Sequence, residues 1–157
     1  MILEIDGAHT GIRFSACHFI PCHEKCARLH GHSYIVRMRL EGETGDSGML
    51  MDFVVLKRIL RDMAEEFDHK TLLPKNSKTV KITIKDKEVE AVSEGKRYVF
   101  PEEDVKLIDV KTTTAEEMSA MMLSLILSKV KFPKNVTSVS IGLDEERGQT
   151  AWSTKVL

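Results

Sequence analysis

Two segments of this chain alternate in phase and set three histidines on one apolar face. In residues 30–40, His30, His32, Tyr34, Val36, Met38 and Leu40 occupy every second position while Arg37 and Arg39 point the other way, which is the period of a half-buried strand. Upstream, Ile12, Phe14, Ala16 and His18 keep the same period. A hairpin joining two such strands brings His18 beside the His30/His32 pair, so the chain has to be built around a β-sheet. Gly31 leaves room for close approach between the two histidines. A lone histidine on a strand is usually a hydrogen-bonded structural residue, but three in phase are the ligand set of one metal ion. With Cys26 close ahead of His30, the stretch from His18 to His32 holds the donors of an open catalytic zinc site plus a candidate nucleophile or base. A structural zinc site would add a fourth ligand from CxxC-like spacing, which Cys17, Cys22 and Cys26 do not have. Three imidazoles favour zinc, with iron, nickel and copper left open.

At 157 residues, 42% apolar and 30% charged, the chain reads as one globular domain, residues 1–157, with enough length for a proper core. Met1 leads into Ile-Leu-Glu-Ile-Asp without a basic n-region and apolar core, and no run approaches the roughly 18 apolar residues of a membrane helix. A soluble, cytoplasmic protein without a membrane partner is expected. The formal net charge of −1 argues against the basic face of a nucleic-acid binder and for a small-molecule partner. Three cysteines interleaved with histidines suit metal or thiol chemistry in a reducing compartment better than a disulfide framework.

After the strand pair, the turn-rich residues 41–48 lead to Met49-Leu50-Met51-Asp52-Phe53. Asp52 is a suitable N-cap, and Phe53, Leu56, Leu60, Met63 and Phe67 recur at helical spacing, so this amphipathic helix delivers Asp68-His69 just past its last turn. Residues 79–100 alternate in short β-like pieces broken at Asp86-Lys87 and Glu94-Gly95, an insert of one or two exposed hairpins in which no function is expected. A capping-box pattern, Thr114-Ala115-Glu116-Glu117, starts a second helix that runs to Phe132-Pro133, with a methionine-rich face as core. Residues 136–157 read as two more strands. The order strand-strand-helix-helix-strand-strand defines an α+β fold.

Several polar residues have plain structural readings beside functional ones. Cys26 is placed to reach the metal or a bound substrate, beside Lys25 and Arg28, whereas Cys17 reads as a small apolar residue and Cys22 and His23 as loop residues. Asp68-His69 can be an ordinary helix end, or, if it approaches Cys26, a proton acceptor and donor pair. Glu116 and Glu117 are by default helix-start charges, and Asp144-Glu145-Glu146 a solvated turn in which one carboxylate can do more.

The chain resembles the 6-pyruvoyltetrahydropterin synthase and 6-carboxytetrahydropterin synthase family over nearly its whole length. The resemblance is carried by Phe14-Ser-Ala-Cys-His18, Cys26-Ala-Arg-Leu-His30-Gly-His32-Ser-Tyr34, Met51-Asp52-Phe53 with Leu56-Lys57, Phe67-Asp68-His69-Lys70, Thr113-Thr114-Ala115-Glu116 and a carboxylate-bearing C-terminal strand. It implies the tunnelling fold: a four-stranded antiparallel sheet with two helices on one face, assembled as a homohexamer of two stacked trimers with active sites between subunits. It implies Zn2+ on His18, His30 and His32, Cys26 as catalytic base, and Asp68 and His69 as its proton-relay partners. It implies a pterin substrate, 7,8-dihydroneopterin triphosphate, whose triphosphate is lost as the side chain is rearranged or cleaved. A buried glutamate then accepts two hydrogen bonds from the pterin ring. Strand phase from Val139, Ile141 and Leu143 selects Glu145 for this role, while counting back from Trp152 in the family pattern selects Asp144, and Glu146 follows as a third carboxylate. Glu116 and Thr114 join as substrate-binding candidates. The chain departs from the family in the 79–100 insert and in having Leu72-Leu73-Pro74 where an asparagine usually follows the Asp-His motif.

The expectation is a zinc-dependent lyase forming 6-carboxy-5,6,7,8-tetrahydropterin, on the way to 7-deazaguanine nucleosides of the queuosine type. The alternative within the family is a 6-pyruvoyltetrahydropterin synthase of the biopterin branch. The competing class is a zinc- or pterin-binding protein without turnover, for which a titratable thiol at Cys26 would be unnecessary.

Overall fold

A computed structural model describes residues 1–157. Its spine is the histidine-bearing segment foreseen from the alternation, and that strand is longer than the apolar pattern alone requires. In chain order the elements are β1 (Ile2–Asp6), the short helix α1 (Gly7–Thr10), β2 (Arg13–His18), β3 (His30–Gly42), α2 (Phe53–Glu65), β4 (Lys70–Pro74), β5 (Lys81–Lys85), β6 (Glu88–Ser93), β7 (Lys96–Pro101), β8 (Val105–Ile108), α3 (Ala115–Lys129), β9 (Val136–Asp144) and β10 (Ala151–Val156).

The main sheet has the order β10-β9-β3-β2-β4-β8, with β1 also paired to β3. β3 serves two antiparallel partners on one edge: its first half pairs β2, from Arg13↔Ile35 to His18↔His30, and its second half pairs β1, from Ile2↔Glu41 to Asp6↔Arg37. The turn between β1 and β2 fits because Gly7 lies against the backbone, where an added Cβ would stand 2.0 Å from the Val36 carbonyl oxygen. The four antiparallel strands expected from sequence are β2, β3, β9 and β10. Three more extend the sheet: β1, and the short parallel strands β4 and β8. These three are five residues or fewer, too short for periodicity to separate strand from loop, and parallel pairing depends on chain returns distant in sequence.

Both long helices cover one face. Phe14, Tyr34, Val36, Met38, Leu40, Val139, Ile141 and Leu143 meet Leu56, Leu60 and Met63 of α2 and Met118, Met122 and Ile126 of α3 in one buried cluster. Asp52 caps α2 as expected, its carboxylate accepting the Val54 N–H at 2.7 Å. Thr114 caps α3, but the reciprocal half of the capping box is absent: the Glu117 carboxylate accepts from the Lys111 N–H instead. α3 ends at Lys129, short of Phe132-Pro133, because Val130 is already extended. The insert is a three-stranded meander, β5-β6-β7, whose turns at Asp86-Lys87 and Glu94-Gly95 have positive φ at both residues, the type I′ geometry that matches strand twist. It has its own core, where Val80, Val89 and Ala91 pack with Phe19 and Leu73. No helix is long and apolar enough to cross a membrane.

Candidate active site

The register of β2 against β3 pairs His18 directly with His30 and Ala16 with His32, so the three imidazoles converge at one end of the helix-covered face. Their ring centroids stand 4.6 to 5.2 Å apart, and one nitrogen from each lies within 4.8 Å of the others. The outer nitrogens are occupied in a way that aims the inner ones. His18 Nδ1 donates to the Thr113 carbonyl at 2.9 Å, and His30 Nδ1 donates to the Arg28 carbonyl at 2.7 Å, which leaves each Nε2 as the acceptor nitrogen, that of His18 lying 3.3 Å from the Tyr34 hydroxyl. His32 Nε2 is buried with no hydrogen-bond partner. Burial lowers the His18 pKa to about 4, with smaller contributions from His30 and His32, so this ring is neutral at physiological pH as a ligand must be. An unpartnered buried nitrogen amid two tautomer-fixed imidazoles fits a metal ion. Only three protein ligands converge, the donor count of an open site.

Cys26 lies half-buried in the β2–β3 loop and lines a cavity of about 500 Å³ with His23, Thr114, Glu116, Glu145 and Gln149. The sequence candidates Cys26, Thr114, Glu116 and Glu145 are therefore brought to one cavity. Glu145 also reaches the histidine cluster: its Oε1 is buried, has no hydrogen-bond partner and stands 3.9 Å from His18 Nε2. Burial pushes the Glu145 carboxyl up from its ordinary value, partly offset by His32 and His30. Thr114 spends its hydroxyl on the helix cap, and Glu116 is exposed at the cavity rim.

Strand phase sets the two carboxylates on opposite faces. Asp144 is buried on the opposite face of β9, where Arg37 forks onto both its oxygens at 3.0 and 3.2 Å, and Arg37 also pairs with Asp6. It is committed to structure and does not line the cavity. Glu146, with Arg147, borders a neighbouring depression lined by Arg13, His32, Ser33 and Glu145.

Asp68 and His69 form a pair, His69 Nδ1 donating to Asp68 at 2.7 Å, and the Ser15 N–H lowers the Asp68 pKa by hydrogen bonding to the other oxygen. The pair does not line the Cys26 cavity. His69, in a left-handed conformation with φ of 55°, instead borders a depression with Ser15, Cys17, Ser33 and His32, one of the three clustered histidines. Within one chain the pair stands apart from the Cys26 cavity, because the end of α2 meets β2 at Ser15. Sequence reasoning gave no role to Thr113, which holds His18 and donates its hydroxyl to the Phe19 carbonyl, or to Tyr34, whose ring stands 5.5 to 5.9 Å from those of His32 and His18. The strand phase of Tyr34 and the sequence neighbourhood of Thr113 carried that signal. Cys17, Cys22 and Cys26 are all free thiols.

Known proteins fit this architecture. A family model described as 6-pyruvoyl tetrahydropterin synthase matches residues 9–155. A Methanocaldococcus jannaschii protein named putative 6-carboxy-5,6,7,8-tetrahydropterin synthase is 37% identical over 160 aligned residues, covering 100% of this chain and 98% of its own. A Bacillus subtilis 6-carboxy-5,6,7,8-tetrahydropterin synthase is 43% identical over 65 residues, 40% of this chain and 42% of its own. The crystal structure of Plasmodium vivax 6-pyruvoyl tetrahydropterin synthase superposes with a TM-score of 0.93 at 25% identity, over 100% of this chain and 98% of that one. The chain belongs to the 6-pyruvoyl tetrahydropterin synthase family. It has the family's tunnelling fold and is a tetrahydropterin-synthase-type lyase, which sets aside the reading of a binder without turnover.

Proposed function

We propose that this chain is a zinc-dependent lyase that converts 7,8-dihydroneopterin triphosphate and water to 6-carboxy-5,6,7,8-tetrahydropterin, with loss of triphosphate and of the two outer side-chain carbons as a two-carbon aldehyde. The observation that carries the reading is the convergence of three metal-competent imidazoles with a free thiol and an unpartnered buried carboxylate at adjoining surfaces. The choice of the carboxy product over 6-pyruvoyltetrahydropterin rests on the 37% full-length identity to the archaeal protein of that name. The pyruvoyl reading is the second, favoured by the TM-score of 0.93 to the Plasmodium enzyme.

His18, His30 and His32 hold the zinc, and Thr113 and the Arg28 carbonyl keep their tautomers fixed. Zinc bound there acts as a Lewis acid toward the hydroxyls of the substrate side chain. Cys26, as thiolate, takes the carbon-bound proton. Glu145, whose buried Oε1 has no partner within the chain, accepts two hydrogen bonds from the pterin N–H and amino group. Glu116 and Thr114 flank the ring. Asp68-His69 of a second copy completes proton relay at Cys26, because the pair within one chain opens on a different depression. That requirement supports sites between subunits, and the family resemblance extends it to a homohexamer.

The test is incubation of zinc-loaded protein and of Cys26→Ala with 7,8-dihydroneopterin triphosphate, products being identified by mass spectrometry. The expected result is a carboxypterin from the unaltered chain alone, with pterin affinity retained in Cys26→Ala. A pyruvoylpterin moves the assignment to the second reading, and an active Cys26→Ala removes Cys26 from the chemistry.

A further inference from the structure

Residues 19–29, the loop that joins β2 to β3 and carries Cys26, touch the insert in three places. At the base, buried Phe19 stacks on Tyr98 of β7, ring centroids 5.1 Å apart, within the insert's own core. At the crest, the Cys22 N–H donates to the Glu94 carboxylate at 2.9 Å. On the returning limb, the Lys96 ammonium donates to the Ala27 carbonyl at 3.1 Å, one residue past Cys26. The loop closes on itself between these points through the Ile20 N–H to the Cys26 carbonyl at 2.7 Å and the Ala27 N–H to the His23 carbonyl at 2.9 Å. All three tethers come from β7 and the β6–β7 turn.

Two details separate these contacts from ordinary surface polarity. Glu94 occupies the first central position of a type I′ turn with φ of 49°, where Asn, Asp or Gly is preferred, so its side chain is kept at a backbone cost. Its carboxylate and the Lys96 ammonium each reach a main-chain group of the same loop instead of an opposite charge. Cys22 is also in the left-handed region, φ 63°, and its N–H is the one that Glu94 holds. Isolated exposed ion pairs contribute little to global stability, but two charge-assisted bonds on a short loop restrict which way that loop presents its side chains.

We propose that Glu94 and Lys96 are positioning residues: the insert clamps the β2–β3 loop so that Cys26 faces the cavity shared with Glu116 and Glu145. The insert thereby tunes the reaction without touching the substrate. The proposal rests on the assignment of Cys26 as the base, and its test keeps the two apart.

Three proteins are compared with the unaltered chain: the double variant Glu94→Ala/Lys96→Met, the conservative pair Glu94→Gln/Lys96→Arg, and Cys26→Ala. Turnover of 7,8-dihydroneopterin triphosphate and amide exchange of residues 20–28 are both measured. The first variant is expected to lose about tenfold or more in kcat with KM within about twofold, since misplacing a reacting group acts on the chemical step. Its exchange should quicken in 20–28 and remain unchanged in β3 and α3. The conservative pair, which keeps an acceptor and a donor, should restore both. Unchanged exchange in 20–28, or a fall in kcat that the conservative pair does not restore, overturns the clamp. An active Cys26→Ala would overturn the role of Cys26, while the exchange result would still decide whether the clamp exists.

Discussion

His18 joins fold and chemistry in a single ring, being fully buried, neutral and paired by one nitrogen to Thr113. Its pKa of about 4 in the folded chain lies below the unfolded value of 6.5, so between them the unfolded chain binds more protons. The stability this ring contributes is full above pH 6.5 and lost as pH falls toward 4. Metal-free protein should therefore lose about 3 kcal/mol across that window in urea titrations, and His18→Phe should flatten the dependence. The carboxylates at positions 144 and 145 call for opposite results. Arg37→Met strands the buried Asp144 charge and should cost roughly 3–5 kcal/mol, much of it recovered by adding Asp144→Leu. Glu145→Gln should leave the melting temperature unchanged or raised, because no bond to its buried oxygen is lost, while kcat/KM for the pterin falls at least tenfold.

Elements position these residues through their ends. α2 starts at a cap and finishes at the Asp68-His69 pair, so its register along the sheet decides where that pair stands. Asp52→Ala removes the carboxylate that satisfies the Val54 N–H and should cost about 1 kcal/mol in chemical denaturation without altering metal content. The boundaries of α2 and the in-phase histidines were legible because long amphipathic periods and a capping aspartate act locally. The strands β4 and β8 were not, since their pairing is with each other and with β2, contacts that no local pattern encodes.

For the whole molecule, the 26-residue core lies between the sheet and both helices and does not depend on a metal for its burial. Chelation should leave a folded protein by circular dichroism, with added Zn2+ raising the melting temperature by mass action. A structural zinc would instead unfold with the chelator. The Cys26 cavity and the Asp68-His69 depression are built from different surfaces of one chain. If neighbouring copies join them, inactive Cys26→Ala and inactive His69→Ala chains, refolded together in equal amounts, should regain about a quarter of full activity, as random pairing of copies requires. No recovery would return both groups to one chain.

The sequence by itself determined the metal-competent face, because period-two alternation fixes which side of a strand each histidine occupies. It also determined the two long helices, their N-caps at Asp52 and Thr114 and the two turns of the insert, all set by neighbours along the chain. Strand phase already put Glu145 on the histidine face, but only tertiary structure showed what Asp144 does instead, because Arg37 of the adjacent strand claims it. Tertiary structure alone held Asp68-His69 at Ser15, apart from the Cys26 cavity, and laid the insert's turn against the Cys26 loop. These are contacts between residues 53 and 72 positions apart, and only packing, not local preference, brings such distant groups together.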